Sequence, residues 1–156
     1  MSRTEFAVWT GHPSQWINLP TFLFWGAVAA AGIALSFVLT AALVVLPVCA
    51  GFVLWHYLVV KNQLYELTSE RLKMHSGVLS KHLSELELYR VTDTQFDQPF
   101  LLRLVGLAHV HILSADKTTP SVTLNAVSDA REVREKVREL VEARRTSKGV
   151  RVSEIE

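Results

Sequence analysis

No Asp, Glu, Lys or Arg stands anywhere between Phe6 and Val60. A water-exposed fold needs charge on its surface, so this absence excludes an ordinary soluble domain for the first third of the chain. Cysteine is also nearly missing. The single Cys49 rules out an intramolecular disulfide and a cysteine-built metal site. Small apolar neighbours make it a packing residue. Pro47 and Val48 before it, and the long apolar run before them, argue against a lipid-modified cysteine. There is no Gly-x-Ser-x-Gly nucleophile segment and no glycine-rich phosphate loop, so hydrolase and nucleotide-dependent chemistry have no visible machinery. An excess of charge is lacking too: 16 Lys and Arg face 15 Asp and Glu, which gives no reason to expect a nucleic-acid partner. With 156 residues, the chain has room for one modest domain and a small appendage, not for a large multidomain enzyme.

What is present divides the chain between two solvents. The apolar run from about Leu19 to Val60 would reach roughly 60 Å as one helix, about twice a hydrocarbon core. Folded once, it gives two membrane helices, about residues 19–38 and 42–60, with a connection near Leu39 to Ala41. Pro47 and Gly51 leave open a kink or a later start of the second helix. Arg3 is separated from the apolar run by a polar and aromatic segment, unlike a removable signal peptide, so the N-terminus is read as mature. Aromatic and basic residues mark the two ends of the run, and the interface anchors expected are Trp16, Trp25, Trp55, Tyr57 and Lys61. Fifteen of the 16 basic residues follow Val60 and none lies in the hairpin connection, which places both termini in the cytoplasm by the positive-inside rule. Small residues along the first helix, Gly26, Ala29, Ala30, Gly32 and Ala34, allow close approach of the second helix or of another copy. His56 is read as an interfacial anchor rather than a proton relay.

Beyond Lys61 the pattern is that of short strands. Arg71-Leu72-Lys73-Met74-His75 alternates basic and apolar residues, a half-buried strand with a basic outer face, and Gly77 supplies a turn. Val78 to Leu88 and Tyr89 to Phe96 add β-like runs. Leu107 to Leu113 sets Ala108, Val110 and Ile112 inward with His109 and His111 outward, and Ser121 to Asn125 sets Val122 and Leu124 inward. Gln98 to Gly106 reads as one or two helical turns between strands. A final helix is capped by Ser128 or Asp129, with Glu132 placed for a capping box and Ala130, Val133, Val137, Leu140 and Val141 as its apolar stripe. Its alternating acids and bases from Arg131 to Arg145 read as a solvated face. The resulting division is an interfacial segment at 1–18, two membrane helices within 19–60, a cytoplasmic β domain at 61–145 and a tail at 146–156.

Several pieces in order resemble the bacterial pleckstrin-homology-like membrane proteins. They are Glu5 to Trp9 with Gly11-His12-Pro13-Ser14 before the apolar run, Tyr65-Glu66-Leu67-Thr68 with Arg71-Leu72, Gly77-Val78-Leu79-Ser80, Tyr89-Arg90-Val91-Thr92-Asp93, and Arg103-Leu104-Val105-Gly106-Leu107. The resemblance implies a two-helix transmembrane hairpin followed by a PH-like split β-barrel of about seven strands, capped by the C-terminal α-helix, in a bacterial cytoplasmic (inner) membrane. It carries no established activity. By analogy with PH domains that bind lipid headgroups, Arg71, Lys73 and Lys81 are candidate lipid or phosphate contacts, against the plainer reading of a strand's polar face.

The functional expectation is a membrane-anchored scaffold or adaptor that self-associates and binds protein or lipid at the cytoplasmic membrane surface. It has no catalytic residues, no cofactor and no metal, and its partners are the bilayer, further copies of itself, and possible membrane or cytoplasmic proteins. The alternative is an accessory subunit of a larger membrane enzyme or transporter. His109 and His111, with His75 or His82, are the only metal-ligand arrangement worth testing, and no local carboxylate or cysteine cluster completes it.

Overall fold

The computed structural model describes residues 5–38, 40–116 and 118–148. Its order is β1 (Ala7–Gly11), a 3-10 turn (Gln15–Asn18), α1 (Leu19–Ser36), a 3-10 segment (Thr40–Val44), α2 (Val45–Lys61), β2 (Leu64–Thr68), β3 (Arg71–Ser76) and β4 (His82–Glu87). A 3-10 turn (Leu88–Arg90) leads to β5 (Val91–Asp97), α3 (Phe100–Leu104), β6 (Leu107–Ser114), β7 (Ser121–Ser128) and α4 (Ala130–Lys148).

The apolar run folds into an antiparallel hairpin whose arms, Gln15–Ser36 and Thr40–Lys61, are 22 residues each, long and apolar enough to cross a membrane. Only 6% and 11% of their most apolar stretches are buried in the molecule, so neither is the core helix of the β domain. The second α-helix starts at Val45, later than residue 42, with Pro47 in its first turn, where a missing amide hydrogen is tolerated. Gly32 is buried, and a Cβ there would lie 3.4 Å from the Cβ of Val45, so this glycine sets the close approach of the two arms. Cys49 is buried as well. Leu39, within the expected connection, lies outside the described residues.

Two antiparallel sheets follow, ordered β1-β2-β3-β4 and β5-β6-β7. The first corrects the sequence-based division. Ala7–Gly11, inside the separate interfacial segment expected at 1–18, pairs with β2, Gly11 lying opposite Tyr65. The hairpin is therefore inserted into the β1–β2 connection. Trp9 packs on the core from β1, and its indole lies so near Gly11 that a Cβ there would be 2.2 Å away. The β-like run from Val78 is also shorter than expected: β4 begins only at His82. Gly77, at φ +112°, turns the chain so tightly that a Cβ would meet the carbonyl oxygen of Ser80 at 1.8 Å.

The core joins Leu67, Leu72 and Leu86 of the first sheet to Val110, Ile112, Val122 and Leu124 of the second, closed by Val133, Val137 and Val141 of α4. The inward positions foreseen for β6 and β7 are those buried. The solvated face expected for α4 needs correction. Arg134 Nε donates to the Thr94 carbonyl at 3.3 Å, Arg144 Nε donates to the Ser69 carbonyl at 2.9 Å, and Arg145 donates to the Val91 carbonyl. Two of these arginines cover backbone carbonyls of β5, an outer strand of its sheet, which would otherwise stay open to pairing. The expected capping box does not form either. Glu132 turns to Lys136, 2.7 Å away and one helical turn on, while Asp129 sits at φ +52°. The helix continues to Lys148, past the start of the expected tail, and residues 149–156 lie outside those described.

Candidate functional site

Antiparallel pairing brings three distant pieces of chain together at the hairpin end of the β domain: the residues after β1, the end of α2, and the β3–β4 turn. Between them lies a groove of about 350 Å³ lined by His12, Lys61, Gln63, His75, Lys81 and His82 among others. Two ammonium groups and three imidazoles thus face one concavity. His12 Nδ1 lies 2.9 Å from the Gln63 carbonyl oxygen, which ties its exposed ring to the β1–β2 junction. Lys61 lies over the Tyr57 ring at 5.7 Å. The nearest carboxylate is Glu66, whose Oε2 is 3.9 Å from His75 Nε2. Such a groove suits an anion, and lysine ammonium groups bind phosphate as point charges.

The three bases singled out from sequence part company here. Lys81 lines the groove. Arg71 and Lys73 do not; they are held by carboxylates on the face of the first sheet. Arg71 bonds Glu85 at 2.6 Å and approaches Glu5 at 3.4 Å, and Lys73 lies 3.2 Å from the same Glu5. Thr68 Oγ1 donates to Glu5 at 2.8 Å. That hydroxyl first, then Lys73 and Arg71, holds the Glu5 carboxyl below the usual range, and Glu85 and Glu5 raise the Arg71 guanidinium further. His12, Lys61, His75 and His82 were not singled out as phosphate contacts. Their sequence signal is faint, because nothing short of the β1–β2 pairing brings His12 to Lys61.

Of the expected interface anchors, Trp16 and Trp55 are about half exposed and flank the hairpin base, and Tyr57 lies under Lys61. Trp25 stacks on Phe52 of the opposite arm, with centroids 4.5 Å apart and planes within 5°. It holds the arms together. His109 and His111 lie side by side on β6, 6.2 Å between rings. His109 Nδ1 accepts from the Ala126 amide at 3.2 Å, and His111 Nδ1 lies 2.9 Å from Thr123 Oγ1. Burial pushes the His109 imidazole down, reinforced by His111 and opposed by Asp97. Among the described residues no group of three or more His, Cys, Asp or Glu is placed to hold a metal ion.

A family model described as Bacterial PH domain matches residues 17–141, most of the chain. The chain belongs to that family. Two apolar helices, two antiparallel sheets of seven strands in all and a C-terminal helix fit a PH-like fold, and the bacterial PH domain is in general a scaffold or binding module. The match begins inside the 3-10 turn before α1, so it takes in the hairpin as well as β2 to β7 of this PH domain. Neither a curated protein nor a solved structure matches the chain.

Proposed function

We propose that this bacterial PH domain is a non-enzymatic, membrane-anchored scaffold or adaptor of the cytoplasmic membrane, with both termini in the cytoplasm, and that its cationic groove takes the phosphate headgroup of an anionic lipid. The observation that carries the reading is the insertion of the apolar hairpin into the β1–β2 connection, beside the groove. With α1 and α2 spanning the bilayer, Lys61 comes at the interface and Lys81 faces the headgroup layer. A base at that depth contributes on the order of 1 kcal/mol to attraction by anionic lipid. The test is titration of the detergent-purified full-length protein with a short-chain phosphatidylglycerol. Replacing Lys61 and Lys81 by Gln should weaken binding about 30-fold, the equivalent of roughly 2 kcal/mol. Equal affinity of variant and wild type would end the headgroup reading.

A second reading, assembly through the hairpin, is favoured by Gly26 and Gly51, each with open space where a Cβ would stand. Light scattering of the purified protein, corrected for bound detergent, separates the cases. A discrete homo-oligomer supports self-association, and a complex with a second protein supports an accessory-subunit role.

A further inference from the structure

We infer that the β domain also touches the bilayer itself, through two apolar feet that flank the hairpin, helix α3 and the β3–β4 turn with the start of β4. This rests on the reading that α1 and α2 span the membrane.

In α3 only Leu102 turns inward, where it is buried with Leu107 and Ala126 against Ile17 and Val105. Phe100, Leu101 and Leu104 turn out, exposed to 72%, 53% and 70%. Ile17 belongs to the 3-10 turn that runs into α1, and the Ser14 amide donates to the Ala126 carbonyl at 3.0 Å. The outward face of α3 is thus fastened to the base of the first span. On the other side, Leu79 is 86% exposed in the β3–β4 turn and Leu83 54% exposed in β4. Leu83 lines the groove that Lys61, the last residue of α2, shares with Lys81, and Leu79 lies in the turn between Gly77 and Lys81, which also line it.

The placement is one-sided. Among the described residues after Lys61, every large apolar side chain left exposed belongs to one of these two segments. The opposite end of the β domain carries polar turns, with Ser69 and Glu70 in one and Asp116 in another. One foot hangs from each sheet, so the pair braces both halves of the barrel. Each foot has a long base next to its apolar tip, Arg103 in α3 and Lys81 beside β4, which can lie along the interface with its charge in the headgroups. An apolar tip with a flanking base at the depth where a span leaves the bilayer fits a lipid surface. Continuity with the hairpin makes the bilayer the occupant.

The experiment uses the full chain with Cys49→Ala, in vesicles of phosphatidylethanolamine and phosphatidylglycerol. An environment-sensitive fluorophore is placed in turn on Leu79→Cys, Leu104→Cys, Leu54→Cys and Thr118→Cys. Nitroxides are carried on the lipid headgroup or deep in the acyl chain. Expected are at least twofold quenching at 79 and 104 by the headgroup nitroxide, quenching at 54 by the deep one, and none at 118. Quenching at 54 with 79 and 104 as dark to lipid as 118 would overturn the feet and leave the spans standing. No quenching at 54 would overturn the spans and the feet together. A label at 104 that is shielded from water yet unquenched by either lipid would overturn the bilayer in favour of a protein contact.

Discussion

The carboxamide of Asn18 donates to the main-chain carbonyl of His56 at 3.0 Å, tying the start of α1 to the end of α2. Gln15 makes the neighbouring bond to the Tyr57 carbonyl at 3.1 Å and also accepts from Asn18. Asn18 is buried, one of two such polar residues among those described, so the hairpin base is closed by uncharged polar side chains. Bonds of this kind between membrane helices are worth about 1 kcal/mol. Asn18→Leu should lower the thermal midpoint of the detergent-solubilised protein, followed by tryptophan fluorescence, whereas Asn62→Leu, which loses only a bond to the Leu58 carbonyl on its own helix, should change it less.

The docking of α4 makes a sharper contrast between two arginines. Arg144 reaches the Ser69 carbonyl and pairs with Glu70, joining α4 to the β2–β3 turn. Arg138 pairs only with Glu142 on its own helix, and both are well exposed. Arg144→Ala should cost about 1–3 kcal/mol, because it leaves a carbonyl and a carboxylate without their donor. Arg138→Ala should stay within about 0.5 kcal/mol. Denaturant unfolding of the two variants compares them directly.

Acid should weaken the fold through His109. Burial lowers its pKa, so the folded state binds the proton less readily than the unfolded chain, and stability must fall as pH drops below the ordinary histidine value of 6.5. The neutral Nδ1 accepts the Ala126 amide, a bond that protonation at that nitrogen removes. Unfolding midpoints measured from pH 7.5 to 5 should decline, and His109→Gln should flatten the profile in that window. An equally steep decline in the variant would assign the effect to another group.

These contacts also explain what could and could not be read from residues alone. Alternation in Leu107 to Leu113 and the apolar stripe of α4 are local patterns, and each named the side chains that form the core. The β1–β2 pair was hidden because the whole hairpin separates Trp9 from its partner Leu67, and no local period reports a contact across that distance. Arg144 looked solvated because acids and bases alternate around it; only the fold brings Ser69 within reach. The groove was hidden for the same reason, since His12, Lys61 and Lys81 meet only after the sheet forms.

Gly77 lies where two constraints coincide, a left-handed backbone at φ +112° and a Cβ position occupied by the Ser80 carbonyl. Gly77→Ala should therefore cost more than the roughly 1 kcal/mol of conformational strain alone. Gly106→Ala supplies the comparison, because Gly106 has φ +71° but open space around its missing Cβ. The gap between the two variants in chemical unfolding measures the steric part.

Charge reversal separates the sheet-face bases from the groove. A basic strand face at Arg71 and Lys73 would contact anionic lipid if its charges were free, but Glu5 and Glu85 already hold them. Arg71→Glu with Lys73→Glu would set two new carboxylates on β3 against Glu85 on β4 and Glu5 just before β1, and like charges facing one another across strands destabilise a sheet. The fold should lose stability, and the loss should shrink in high salt, where repulsion between exposed charges is screened. Lys81→Glu, in the groove and away from that cluster, should leave the unfolding free energy within about 0.5 kcal/mol of wild type while weakening phosphatidylglycerol binding. If instead the Arg71 and Lys73 reversal left stability intact and abolished lipid binding, the headgroup site would lie on the sheet face rather than in the groove.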